Sequence, residues 1–230
     1  MTWLLIGACV AVFFLVRADE VFFYEAASIP CEVTTGELLS ANEIESGACT
    51  RGNGAPVFPE KNIWLSVGFS LFLHGGLLHL VSNMWVLAIF GNNVEDAFGH
   101  ISYLGFYLLA GLAASIAHFL LRPESTVPVV GASGAIAGVM GAYAILFPRA
   151  RVTAIIPPFF FWPFALPAVL FLLLWFGSQF LLVGSESLIA WEAHVAGFVF
   201  GFVAALVLRK RLRRHSSVTP AYYPVGRYHR

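Results

Sequence analysis

Apolar residues run along the chain in six long blocks: Trp3–Val16, Leu71–Phe90, Ile101–Leu121, Ala132–Phe147, Phe159–Val183 and Leu188–Leu208. A helix needs about 20 such residues to cross a bilayer, within a range of about 17–25. The third, fifth and sixth blocks meet that length, while the first and fourth are shorter. The first block lies beside the initiator Met but lacks a basic leader and a small-x-small cleavage site, so it is expected to be a retained helix. The fourth opens on Gly131-Ala132-Ser133-Gly134, and its shortness predicts that its first turn lies below the membrane surface. The pattern predicts an all-α, six-helix polytopic domain over residues 1–214. It includes a long external loop, 17–70, and is followed by an aperiodic, disordered tail over 215–230.

Composition makes the bilayer a requirement. Hydrophobic residues form 59% of the 230 and charged residues only 11%, against about 25% charged in soluble domains. A chain of this size has no interior large enough to hide that much apolar surface from water. The formal net charge is zero, so nothing points to a nucleic-acid partner.

The placement of the charges sets the orientation. Loop 17–70 carries Asp19, Glu20, Glu25, Glu32, Glu37, Glu43, Glu45 and Glu60 against Arg17, Arg51 and Lys61. Arg149 and Arg151 follow the fourth block, and Arg209, Lys210, Arg211, Arg213 and Arg214 follow the sixth. Six alternating helices bring both basic clusters and the N-terminus to one side, which the positive-inside rule makes cytoplasmic. Loop 17–70 and the segment leading into Ser133 then lie outside. Cys31 and Cys49 share the outer loop, where a disulfide and two free thiols are both compatible with the sequence. Cys9 lies in an apolar block, and no Cys/His spacing resembles a metal site.

Polar groups inside a bilayer need a reason to be there, and four stand out: His79, Asn83, Ser133 and His194. Ser133 sits between glycines that allow close approach. At a helix start its backbone N–H would be an unpaired donor, suited to an oxyanion, although a plain helix-entry cap also fits. His194 could take a proton from a serine hydroxyl, or it could be a buried histidine bonded to a neighbour or lining a proton path. Gly134/Gly138 and Gly197/Gly201 each form a small-xxx-small face of the kind that lets helices approach closely. If those faces meet, Ser133 and His194 lie at one depth on adjacent helices. His79 and Asn83, four apart, share a helix face and can both donate hydrogen bonds. They suit an oxyanion, or they hold helices together. No carboxylate accompanies His194, because Glu192 lies about 160° around the helix, so the pattern is a Ser–His dyad.

Together these residues resemble the rhomboid family of intramembrane serine proteases. His74–Asn83 matches the family's HxxxxHxxxN pattern, Gly131–Gly134 its GxSG, and Ala193–Gly201 its AHxxGxxxG. Gly91–Gly99 looks like its GxxVExxxG turn between the second and third helices. The resemblance covers about Phe72–Leu208. It implies a water-filled cavity open to the outside, with Ser133 as nucleophile and His194 as base and then acid. It implies an oxyanion hole of His79, Asn83 and the Ser133 N–H, with His74 in a supporting role beside Gly131, Gly134, Gly197 and Gly201. It implies no metal or other cofactor, substrates that are membrane proteins with a transmembrane segment, and the fifth helix as a lateral gate. Pro157, Pro158, Pro163 and Pro167 at the head of that helix suit mobility but are also ordinary in membrane helices.

The chain departs from the family's bacterial pattern in lacking a Trp-Arg pair in the first loop, where only Trp64 is near, and in having Ala97 at a basic position. The compact plan suggests a prokaryotic plasma membrane, because mitochondrial relatives typically carry an additional helix. Rival readings are a catalytically silent binder of membrane proteins and, less well supported, a small channel or transporter. The binder is disfavoured by the presence of both Ser133 and His194. The transporter is disfavoured because the polar groups cluster near one face, not at helices broken at the midplane.

Overall fold

The computed structural model describes residues 1–16, 19–50, 54–154, 164–183 and 190–215. The bundle is built from α1 (Thr2–Leu15), α6 (Leu77–Phe98), α7 (His100–Leu121), α8 (Ser133–Leu146), α9 (Ala168–Gln179) and α10 (Trp191–His215). Four short helices lie between α1 and α6: α2 (Glu20–Ala26), α3 (Pro30–Thr35), α4 (Ala41–Ser46) and α5 (Ile63–Phe69). A two-stranded antiparallel ladder, β1 (Arg151–Ala154) with β2 (Phe164–Pro167), is added to the helical plan before α9. Pro167 caps α9. Pro157, Pro158, Pro163 and the tail 216–230 lie outside the described residues.

Several boundaries differ from the hydrophobic pattern. In the fifth apolar block Phe164–Pro167 pair with Arg151–Ala154 as β2, so the helix covers only Ala168–Gln179 and, with 12 residues, is shorter than the crossing length expected of that block. The second apolar block begins at Leu71, but its helix begins at Leu77, after the Gly75-Gly76 break. Residues Ser70–Phe72 form a separate 3-10 turn. At the other end the helix runs on through Gly91, Asn92, Asn93 and Glu95 to Phe98, so only Gly99 makes the turn. Polar side chains do not unwind this segment, because backbone groups at membrane depth must stay paired. Glu95 meets its need across the bundle, accepting from the Thr2 N–H at the head of α1 at 2.7 Å.

Helices α6, α7 and α10 are long and apolar enough to cross a membrane. Their outward faces carry Leu78, Val81, Trp85, Ile101, Leu109, Leu120, Val203 and Val207, all exposed. In water such a surface would be an association site, whereas in a bilayer it is the lipid-facing side. Helix α8 is the centre, with every residue from Gly134 to Ala144 buried, as befits a helix apolar all round. It packs most extensively on α10, then on α7 and α6. With 14 residues it spans about 21 Å, short of a hydrocarbon core of about 30 Å.

Cross-helix contacts give the direction of each span. Gly197 meets Gly134 and Gly201 meets Gly138, so α8 and α10 run parallel. Asn93 near the end of α6 donates to Tyr143 near the end of α8 at 3.3 Å, so α6 runs the same way. Arg122 after α7 meets Glu192 at the head of α10. Arg149, Arg151 and the basic end of α10 therefore share one end of the bundle.

The acidic loop is a small folded unit. Cys31 and Cys49 are joined by a disulfide, which by loop closure contributes on the order of 3 kcal/mol. Buried Glu32 and Lys61 pair at 2.5 Å, and the Lys61 ammonium also donates to the Tyr24 carbonyl at 2.7 Å. Helices α3 and α4 end on Gly36 and Gly47 in the left-handed conformation that glycine adopts freely. Ser40 and Glu43 form a capping box on α4.

Burial pushes the Glu43 carboxyl up, but hydrogen bonds from the N–H and hydroxyl groups of Ser40 and Thr50 outweigh it and hold the pKa at about 2, against an ordinary 4.5. A depressed carboxylate stabilises above its unfolded pKa and ceases to do so as pH falls through the folded one. Amide-exchange protection over residues 40–50 should therefore decline as pH drops from about 4.5 toward about 2. In Glu43→Gln the protection should start lower and lose that pH dependence.

Candidate active site

The glycine faces bring two polar side chains together. A β-carbon on Gly197 would lie 2.1 Å from the Gly134 carbonyl oxygen, and one on Gly201 only 1.8 Å from that of Gly138. The α8 and α10 backbones are thus in direct contact, which places Ser133 and His194 at the same end of the pair. The Ser133 Oγ lies 2.8 Å from His194 Nε2, and both residues are half-buried. Ser133 is the first residue of α8, so its N–H has no acceptor within the helix.

The second nitrogen of His194 is also engaged. Nδ1 lies 2.8 Å from the Gln179 Oε1 at the end of α9. The Trp175 ring, one turn earlier, lies over the imidazole at a centroid distance of 5.9 Å. Glu192 points elsewhere, accepting from Arg122 Nε at 2.7 Å and facing His118 of α7. Sequence reasoning sought an acidic third partner and passed over Gln179. Its signal was an amide near the end of the fifth apolar block.

Helix α6 supplies the donors. The Gly75 N–H points to His79 Nδ1 at 3.4 Å, a geometry that leaves the proton on His79 Nε2. A β-carbon on Gly131 would lie 2.9 Å from that Nε2 and 3.8 Å from Ser133 Oγ, so Gly131 borders a space shared by the two side chains. Asn83, one turn further along α6, is buried, and its Nδ2 has no hydrogen-bond partner among the described residues. An orphaned buried donor of this kind is uncommon and calls for an explanation. His74 is buried, donates from Nδ1 to the Phe72 carbonyl at 3.2 Å, and lies edge-on to His79 with centroids 5.1 Å apart.

The segment between α1 and α6 fixes the stretch that leads into Ser133. The Gly131 N–H donates to the Ser70 carbonyl at 2.9 Å, and the Val129 N–H to the Ser28 carbonyl at 2.8 Å. Ser28 and Ser70 are joined in turn, the Ser28 N–H donating to Ser70 Oγ at 2.7 Å. The Cys31 N–H reaches the Ser125 carbonyl at 3.0 Å, and the Thr34 hydroxyl reaches that of Pro123 at 2.8 Å. Neither serine was singled out in the sequence, where both are small polar residues in a polar stretch. Gly131 is held at φ +121°, a conformation open to glycine and strained for other residues. Gly131→Ala would both strain this segment and push a methyl group against His79 and Ser133. It should lower any turnover at this site by about 10²-fold, the loss expected from a small misplacement, and lower the melting temperature in detergent by a few degrees through the strained backbone.

Among the described residues no cluster of three or more metal-ligating side chains occurs. The arrangement offers a hydroxyl, a base within hydrogen-bond reach, a partner for that base, and donors beside them, which is the layout of nucleophilic acyl transfer.

Known proteins are similar to this chain in sequence. The model of the Rhomboid domain matches residues 61–211. RHOMBOID-like protein 5 of Arabidopsis thaliana is 31% identical over 156 residues, 68% of this chain and 47% of that protein. Rhomboid protease GluP of Bacillus subtilis is 31% identical over 147 residues, 63% of this chain and 26% of that protein. Rhomboid protein 1, mitochondrial, of Saccharomyces cerevisiae is 32% identical over 98 residues, 41% of this chain and 28% of that protein. The chain thus spans less than half the length of these curated relatives. With its matched domain covering well over half of its own length and its apolar helices forming one bundle, the chain belongs to the rhomboid family.

Proposed function

We propose that this chain is an intramembrane serine endopeptidase that cleaves transmembrane or juxtamembrane segments of other membrane proteins. The observation that carries this reading is the 2.8 Å approach of Ser133 Oγ to His194 Nε2 at the head of two closely packed helices. As the substrate carbonyl is attacked by Ser133 Oγ, the hydroxyl proton passes to His194 Nε2. The developing oxyanion is met by the Ser133 N–H, His79 Nε2–H and Asn83 Nδ2–H. The orphaned Asn83 amide then has a purpose, since its partner arrives with the substrate. His194 next protonates the leaving amine. Water, deprotonated by the same imidazole, releases the acyl group and restores Ser133.

The substrate class follows from the setting. A nucleophile at the head of a short, fully buried helix is reached from within the bilayer or from its outer boundary, not from bulk solution. In this reading the end bearing Arg149, Arg151 and the basic turn of α10 faces the cytoplasm of a prokaryotic cell, with both termini on that side. The test is cleavage of a single-span substrate carrying small residues near its outer end, co-reconstituted in lipid vesicles. The expected result is two membrane-derived fragments with one defined junction. An intact substrate after prolonged incubation with well-folded protein would contradict the reading.

A further inference from the structure

His194 uses both ring nitrogens, and its second partner lies on a different helix from Ser133. The Gln179 amide has one orientation compatible with its surroundings. Its nitrogen lies 3.2 Å from the Trp175 carbonyl oxygen and 3.3 Å from Ser178 Oγ. A carbonyl can only accept, so Nε2 must face Trp175, which turns Oε1 toward His194 Nδ1 at 2.8 Å. An amide oxygen accepts, so Nδ1 carries the ring proton and Nε2 keeps its lone pair toward Ser133 Oγ. With the amide reversed, Nδ1 would be the acceptor and the neutral ring would hold its proton on Nε2, unable to act as base. Gln179 is buried, so water does not replace this contact freely.

We propose that Gln179 is a positioning residue for the reaction, holding His194 in the tautomer and ring orientation that make Nε2 the base. The inference rests on the protease reading and deepens it. The neighbouring titratable and charged groups are those of α6 (His79), α7 (His118 with Arg122 beside its end), α8 (Ser133) and α10 itself (Glu192). Glu192 is already committed to Arg122. In soluble serine proteases a lost tautomer-fixing carboxylate lowers turnover by about 10⁴-fold. A neutral amide makes a weaker bond, so its loss should lower turnover by about 10- to 100-fold.

The test compares the intact protein with Gln179→Leu and Gln179→Glu. Gln179→Leu should lower kcat by about 10- to 100-fold with KM within about twofold. Gln179→Glu keeps an acceptor for Nδ1–H, and its second oxygen, protonated in this buried site, can still donate to the Trp175 carbonyl. Its kcat should therefore stay within a few-fold of the unaltered protein, a rescue that Gln179→Leu lacks. Ring nitrogen-15 spectra of His194 in the resting protein give a readout independent of turnover. They should show the Nδ1-protonated tautomer in the unaltered protein and a shift toward the Nε2-protonated form in Gln179→Leu. A loss of kcat in Gln179→Glu as large as in Gln179→Leu, or unchanged ring spectra in Gln179→Leu, would overturn the proposal. Failure of the unaltered protein to cleave would instead sink the protease reading and leave the spectroscopic result to decide the role of Gln179.

Discussion

Ser133→Ala is expected to reduce cleavage of a single-span substrate in vesicles by at least about 10⁴-fold, and His194→Ala by a comparable factor. In the proposed mechanism the two side chains, 2.8 Å apart, act as one unit: without the hydroxyl there is no acyl acceptor, and without the imidazole its proton has nowhere to go. The double variant should therefore be no worse than either single one. Both changes remove polar atoms from a partly accessible site without filling space, so melting temperatures in detergent should stay within a few degrees of the parent. Residual turnover above about 1% in both single variants would assign the chemistry to other residues.

Gly201→Val should have the largest effect on the fold. A β-carbon there would sit 1.8 Å from the Gly138 carbonyl oxygen and 2.5 Å from its carbon. Both are backbone atoms that cannot rotate aside, so α10 and α8 must separate. Overpacking of this kind costs about 1–3 kcal/mol, and more when backbone must move. The pair at stake is the most extensive helix contact in the bundle, and about 4 kcal/mol or more is the expected loss. Thermal unfolding in detergent should show it as a melting temperature well below the parent's, or as failure to recover folded protein. Cleavage should vanish too, because the Ser133–His194 distance depends on this contact. Gly177→Val on α9, with open space around its β-carbon position, is the control and should leave stability nearly unchanged.

The bundle could be read from the sequence because its determinants are local and repetitive. Apolar runs mark helices, and the four-residue glycine spacing marks where two of them touch. His79 and Asn83, one turn apart, were visible by the same logic. Helix α6 was displaced by six residues because hydrophobicity does not register the Gly75-Gly76 break, which resets the chain before Leu77. Its far end was missed for the opposite reason: Asn92, Asn93 and Glu95 look like a turn by polarity, yet Glu95 is satisfied by α1, 93 residues away.

Loop 17–70 was illegible because its short helices have no amphipathic period. They are held by the Cys31–Cys49 bond, the Glu32–Lys61 pair and the Ser28–Ser70 link. The Cys31–Cys49 bond is one of two readings open in the sequence, but the other two partnerships are revealed only by the folded chain. Gln179 escaped for a chemical reason, since the expectation of a carboxylate beside a catalytic histidine directed attention to Glu192. Once folded, the loop that seemed a mere connection holds Gly131 in place just ahead of Ser133.

The central claim is that the Ser133 hydroxyl is activated by the imidazole beside it. The most direct measurement is treatment of the purified protein in detergent with a fluorophosphonate, followed by intact-mass analysis and peptide mapping. A single adduct on Ser133 is expected, absent from Ser133→Ala and formed far more slowly in His194→Ala. No adduct on the folded protein, or one that persists undiminished when Ser133 is replaced, would contradict that claim.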